Sequence, residues 1–427
     1  MRIYLIFCTA LALLLGQPAL AETTGAQSGT ATALSANATF DQISSLAQTG
    51  NAEAQFQLAK RYQNGQGVTQ DYKQALFWYR KSADQGNSNA QNNLGVMYNI
   101  GKSVPQDYTQ AVSWFRKSAE QGNAIAQDNI GNSYKNGKGV AQDYAQALFW
   151  YRKSADQGFA NAQNNLGIIY NIGKGVAQDH AQALSWYRKA ADQGLSAAQD
   201  NIGAMYKAGV GVAQDYAQAI SWFRKAAEQG FADAQNNIGI MYKDGTGIAQ
   251  DYAQAVSWYR KAADQGLAAA QTNLGYMYES GSGVTQDKNQ AVYWYRKAAD
   301  QGFAPAQGNL GVMYIEGAGV AQSYAQGMYW YRKAAEQGDA PAQTNLAVMY
   351  ASGTGTAQDL RQAVYWYRKA AAQNYPKALY NLGWSYENGQ GVAPDKQQAI
   401  ELYRKAAAQN DNPQARQMAQ ERLSQLQ

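Results

Sequence analysis

The 427-residue chain has one cysteine, Cys8, and one histidine, His180. It also lacks a strong excess of either charge, since 36 Lys and Arg face 31 Asp and Glu for a net of +5. Each shortage excludes a class of function. A single Cys and a single His cannot assemble a Cys/His metal centre, and one Cys cannot make a disulfide framework. A nearly balanced surface without a basic stripe argues against nucleic acid as a partner. Long apolar runs are missing as well. The run Ile3 to Leu15 is too short to span a bilayer, and no later segment is apolar enough to do so.

That short run follows Arg2, the only charged residue before Glu22, and leads to Ala19-Leu20-Ala21. A charged start, a short apolar stretch and small residues at the cleavage positions form a secretory signal. Residues 1–21 therefore read as a signal peptide cleaved near Ala21, and the chain as exported, either periplasmic or secreted. Cleavage removes Cys8 and Arg2, leaving 35 basic against 31 acidic residues, a net of +4. Packing alone must then hold the exported chain together. Residues 22–38, rich in Ser, Thr, Ala and Gly, read as a flexible linker.

What the sequence does have is a ruler. Tryptophan stands at 78, 114, 150, 186, 222, 258, 294, 330 and 366, always 36 residues apart. A tyrosine column keeps the same step from Tyr62 to Tyr386. Ten units fill 52–411, with a half-unit at 39–51 and a polar capping helix at 412–427 to cover the ends of a stack. Each unit reads as two helices. In "AQDNIGNSYKN", Ala126, Ile130 and Tyr134 share a face, and Gly137 stops the helix. Asp143 caps the second helix, whose Tyr144, Ala147, Leu148, Tyr151 and Ala155 form an apolar stripe ended by Gly158. In the last two units Asn374 and Asn410 stand where Gly158 does, and asparagine is the next most tolerant of a left-handed backbone. Helices this short are marginal alone, so each pair must lean on the next. Glycine at 95, 131, 167, 203, 239, 275 and 311 sits mid-helix at about 1 kcal/mol cost against alanine. Accepting that cost so often implies a close approach of backbone between helices. The expected fold is all-α, a right-handed α/α superhelical solenoid of about ten 36-residue helix–turn–helix repeats.

The consensus "AQNNLGVMY…G.GV.QDY.QA..WYRKAA.QG" resembles the Sel1-like repeat (SLR) family, a branch of the tetratricopeptide-like helical repeats. The resemblance covers about 370 residues and implies a scaffold or adaptor role rather than catalysis. It implies a protein partner, from the envelope or from a host. Some cysteine-rich relatives carry penicillin-binding or β-lactamase-like assignments. This chain has no mature cysteine and neither Ser-x-x-Lys nor Lys-Thr-Gly, so those assignments do not transfer.

The phrase Trp–aromatic–Arg–Lys occurs nine times in one register, and catalytic sites are not built in nine copies. Its rings are expected to fill inter-helix space. Its cations are expected to complement the helix C-terminus and to pair along the helix, as Arg188 with Asp192. A basic ladder for an acidic partner or anionic glycan is the competing reading. The Gly-x-Gly turns join helix to helix with no preceding strand, so the phosphate-loop reading fails its context. His180 stands where other units have tyrosine and reads as a packing substitute. No cofactor or metal is implied, and the chain is not expected to be an enzyme.

Two ladders remain. Asparagine recurs from Asn93 to Asn381, including Asn237, Asn273, Asn309 and Asn345. These amides either satisfy loop backbone in a neighbouring unit or face a bound peptide. The first helices also carry a set that varies between units at i, i+4, i+7, such as Asp128/Asn132/Lys135 and Thr272/Tyr276/Glu279. Its middle position, with Ile168, Ile240, Tyr276, Val312, Val348 and Trp384, is mostly apolar. The resemblance places first helices on the concave side, where an apolar row with a polar rim would bind a protein. Tyr276 and Trp384 are the anchor candidates; the alternative is that the row only fills space between first helices. A second varied column on the second helices runs from Phe77 to Tyr365 and gathers Tyr293, Tyr329 and Tyr365. It would suit an envelope or host glycan. A cell-wall-active, β-lactamase-like enzyme is a further alternative. The chain is expected to act as a monomer.

Overall fold

The computed structural model of the chain describes residues 38–410 and 412–426. The expected signal peptide and nearly all of the expected linker lie outside them. All regular structure among the described residues is helical. These residues form two compact units, one ending at Gln229 and one starting at Gly230. Each is an all-α solenoid of five helix pairs. Repeat 1 starts at Ala52, and each later repeat starts 36 residues on, to repeat 10 at Pro376.

Repeat 3 shows why the sequence folds this way. Its first helix is Ala124–Asn136 and its second Tyr144–Asp156. Asn123 accepts from the Ala126 amide at 3.0 Å, and Asp143 accepts from Ala145 and Gln146 at 2.9 and 3.0 Å. These bonds satisfy amides that a helix start leaves without partners. Gly137, at φ +67°, closes the first helix with its amide on the Ser133 carbonyl. Asn374 takes φ +58°, the left-handed conformation its position requires. In repeat 10 the second helix already ends at Ala407, and Asn410 beyond it accepts from Arg416.

Within a pair, the mid-helix glycine meets a ring. A Cβ on Gly131 would lie 2.7 Å from two Tyr151 ring carbons, and Gly203 faces Phe223 in the same way. The closest approach is that of an aromatic side chain, with paired backbone just behind it: a Cβ on Gly95 or Gly311 would also lie 3.1 or 3.2 Å from the carbonyl oxygen of Ala111 or Gly327. Ala59 and Ala347 occupy this register in repeats 1 and 9, both fully buried. Between repeats, the second glycine of each turn does a different task. At Gly139 (φ +73°) a Cβ would come 2.1 Å from the carbonyl oxygen of Tyr108, the first residue of the preceding second helix. Gly319 makes the same approach to Lys288. Ser103 holds φ +58° at this register, at roughly 1–2 kcal/mol of backbone strain.

Polar side chains stitch the repeats. Gln91 donates to the Ala83 carbonyl at 3.1 Å, a helix-end oxygen of the preceding repeat. Its own oxygen accepts from Gln121 at 2.7 Å. The same relay runs through Gln127 and Gln157, and through Gln307 and Gln337. Arginine adds a second stitch. Arg188 donates to the Tyr206 hydroxyl one repeat on, at 3.1 Å, and Arg332 to that of Tyr350 at 2.6 Å. The arginine of the repeated phrase thus joins repeats, and the expected Arg188–Asp192 pairing gives way to that bond. At the ends, the helix Phe40–Gln48 packs on repeat 1. The helix Pro413–Leu426 packs on both helices of repeat 10, where its Arg422 pairs with Glu387.

The buried ring column tests this accounting. Tyr151 donates to Asn132 at 2.8 Å, whereas the Tyr259 hydroxyl is buried without a partner. Phe115 and Phe223 stand in the same column. Tyr259→Phe is expected to leave stability unchanged or to raise it, because it removes an unsatisfied group. Tyr151→Phe is expected to cost about 1 kcal/mol by losing a bond and stranding Asn132. Urea unfolding followed by circular dichroism compares them, and the opposite order contradicts the assignment.

Candidate binding surface on the first helices

The varied set on the first helices separates into inward and outward positions. Its first member belongs to an asparagine ladder. Asn165 donates to Asp128 Oδ1, Asn201 to Asn164 and Asn273 to Asn236, each at 2.9 Å. Each bond joins neighbouring first helices. Thr272 and Thr344 instead turn back to carbonyls of their own helices. Where the preceding acceptor is lost, the asparagine turns to the ring column. Asn309 bonds Tyr295 and Asn345 bonds Tyr331. Asn237 also has a hydrogen-bond or electrostatic partner. The amides of Asn273, Asn309 and Asn345 thus serve side chains of neighbouring helices, which neither reading of the ladder anticipated.

The third member also points inward. Glu279 accepts from the Tyr295 hydroxyl at 2.5 Å and Glu387 from that of Tyr403 at 2.7 Å. Ile315 packs where a Cβ on Gly327 would lie 2.4 Å from its Cδ1, so this repeat exchanges the usual alanine for glycine. The polar rim expected from the i+7 position is therefore largely tied to the paired helix.

Only the middle member faces outward. Tyr276, Val348 and Trp384 are 41–43% exposed on the first helices of repeats 7, 9 and 10. Ile240 and Val312 are half-buried against the cores of their repeats, as is Ile168 in the other unit. The row of repeats 6–10 therefore mixes two seated aliphatic residues, Ile240 and Val312, with three projecting ones. Beside Trp384 lies a recess of about 60 Å³ lined by Ala351, Leu360 and Asn381 among others.

His180 opens the second helix of repeat 4, His180–Asp192, with Nδ1 2.9 Å from Asn171 Oδ1. A Cβ on Gly211 would meet its Cβ at 2.5 Å, so it receives the next turn as Tyr108 and Tyr144 do. Sequence reasoning passed over the glutamine relay entirely. Its signal was there, since glutamine recurs in one register of nine first helices, from Gln55 to Gln343. Among the described residues, no group of three or more His, Cys, Asp or Glu is placed to hold a metal ion, and no helix is long and apolar enough to cross a membrane.

The Sel1 repeat family model matches ten consecutive segments, from 52–87 to 376–411. The chain belongs to the Sel1-repeat family. Its fold is similar to the structure of c5321 from uropathogenic Escherichia coli, described as a protective antigen displaying an SLR fold. The two share 36% identity over 91% of each chain, with a TM-score of 0.55. A Sel1 repeat protein from Oxalobacter formigenes shares 35% identity over 72% of this chain and 89% of that one, with a TM-score of 0.52. No curated protein matches the chain. Sel1-repeat proteins are generally non-catalytic, and the helical solenoid is an architecture consistent with protein–protein interaction.

Asp128 is one of two carboxylates in this register of the ladder, with Asp200, where Asn164 and Asn236 stand elsewhere. Burial pushes its pKa up to about 6, opposed by hydrogen bonds from Asn165 and Asn132 and by the Lys135 charge. An acid whose pKa is raised on folding favours the native state when protonated. Its contribution is lost as pH rises from about 4, the unfolded value, through about 6. Wild type should therefore lose roughly 1–3 kcal/mol across that window relative to Asp128→Asn, and the variant should be the more stable at pH 7.5. Urea midpoints from pH 4 to 8 check this; parallel profiles contradict it.

Proposed function

We propose that the chain is an exported, monomeric scaffold that binds a protein partner through the outward row of its first helices, with no chemistry of its own. One observation carries this reading. Between neighbours mostly turned into the fold, Tyr276, Val348 and Trp384 remain exposed in one register of repeats 7, 9 and 10. An apolar row that none of the described residues covers has the composition of an interface core. Large rings such as Tyr276 and Trp384 supply most of the binding energy in such rows. The half-buried Ile240 and Val312 occupy the repeats on either side of Tyr276, and Ile168 holds the corresponding position in the other unit. Beneath the row, Asn273 ties neighbouring first helices and Asn309 and Asn345 reach tyrosines of the preceding second helices, while Asn237 belongs to the same column.

Export is supported by the short apolar run at Ile3–Leu15 and by the similar protein's description as a protective antigen. On this reading residues 1–21 are removed, 22–38 tether the array, and 39–51 and 412–427 cover its ends. The partner is an envelope or host protein.

The test is capture from envelope extract and from host secretions, followed by titration with the purified captured protein. Tyr276→Ala/Trp384→Ala is expected to weaken binding at least tenfold, about 1.4 kcal/mol or more, while circular dichroism and the melting temperature stay unchanged. Equal affinity of the folded double variant contradicts the proposed surface.

A further inference from the structure

The second helices carry an exposed feature that the first-helix row does not use. Tyr293, Tyr329 and Tyr365 are 46–50% exposed in one register of repeats 7, 8 and 9. Each ring meets the tryptophan that follows it edge-on, with centroids 5.0 Å apart and planes at 79–80°. The tryptophans beneath are buried. The three tyrosines are thus held in one repeated pose on a rigid base.

The lysine one turn on responds to this column. Where the column residue is serine, the lysine settles on the tryptophan: Lys117, Lys189, Lys225 and Lys261 lie 3.9–4.1 Å from the indole centroids. Where the column is tyrosine, the ammonium shifts outward to lie between the two rings, Lys297 and Lys369 standing 5.1 and 5.2 Å from the indole centroids. Lys297, Lys333 and Lys369 stand 4.7, 5.7 and 4.9 Å from the Tyr293, Tyr329 and Tyr365 centroids. Each rung therefore presents a phenol and a cation together at the surface. The three helices, Lys288–Asp300, Tyr324–Glu336 and Leu360–Ala371, hold eight basic residues against two acidic ones. The chain as a whole is nearly balanced, so these three second helices carry more than their share of positive charge.

We propose that the Tyr293–Tyr329–Tyr365 row is a binding site for a linear acidic polysaccharide, one whose sugar rings carry carboxylates. The phenol hydroxyls hydrogen-bond sugar hydroxyls while the lysines pair with the carboxylates, so no open ring face is needed. A periodic ligand suits a periodic site, because each weak rung adds through effective concentration. Single-stranded nucleic acid fits less well. Its bases need open ring faces for stacking, and here an ammonium already lies over each ring. Phe77 and Phe149 in the other unit share the pose but lack the hydroxyl, and Ser113 interrupts them. Only repeats 7–9 run three rungs in succession.

The probe is polygalacturonate, titrated calorimetrically into the purified chain at 150 mM NaCl, alongside neutral dextran, oligo-dT and polyglutamate. Tyr293→Ser/Tyr329→Ser/Tyr365→Ser places at each rung the residue that repeats 2, 4, 5 and 6 already carry, so the fold should be retained. Polygalacturonate is expected to bind, with affinity lowered at least tenfold by the triple serine variant and also by Lys297→Gln/Lys333→Gln/Lys369→Gln. Phe77→Ser/Phe149→Ser should change nothing. No binding by the wild type, an unaltered affinity in the serine variant, or equal binding of oligo-dT or polyglutamate overturns the proposal.

Discussion

A helix pair of this chain cannot satisfy itself. The Ala83 carbonyl at the end of one repeat is capped by Gln91 of the next, and Gln91 is in turn held by Gln121. The Gln91–Ala83 contact is buried, so leaving the Gln91 amide unmet there would cost about 1–3 kcal/mol. The same dependence governs the apolar surface. Thirteen-residue helices do not persist alone in water, and the turn glycines admit the next repeat only at van der Waals distance from backbone. Folding is thus a nearest-neighbour matter, in which each repeat completes the one before it.

This dependence explains which residues are free for function. The ring column, the mid-helix glycines, the glutamines, the arginines and the asparagines are all consumed by contacts within and between repeats. Two registers are left over. One is the middle position of the first helices, which changes from Asn132 to Tyr276 to Trp384 without disturbing the frame. The other is the second-helix column that alternates between serine and aromatic residues. Variation among units of one chain marks these registers because packing does not dictate them, and surface chemistry is written there.

Much of this was legible in the sequence, for identifiable reasons. The helix pairs follow from the Trp and Tyr columns, and the ends of the helices from Asp143, Gly137 and Asn374, because caps and left-handed turns demand particular residues. The contacts between repeats were harder to read. Gln91 looks like any polar surface residue until the stacked neighbour buries it. Asn165 finds Asp128 across a helix–helix contact that sequence spacing alone does not reveal. Arg188 had two plausible partners, and only the packing brings the Tyr206 hydroxyl within reach. The outward row was visible as a pattern, but its flanks were misjudged: Glu279 and Ile315 face the paired helix, which a helical wheel drawn for one helix does not show.

The central claim is tested most directly by the length dependence of stability. Fragments carrying one, three and five repeats, residues 124–159, 88–195 and 38–229, would be unfolded in urea and followed by circular dichroism. The account predicts an unfolded single repeat, and unfolding free energy and urea slope that both increase from three repeats to five. A single repeat that folds on its own, or a stability that does not change with repeat number, would contradict it.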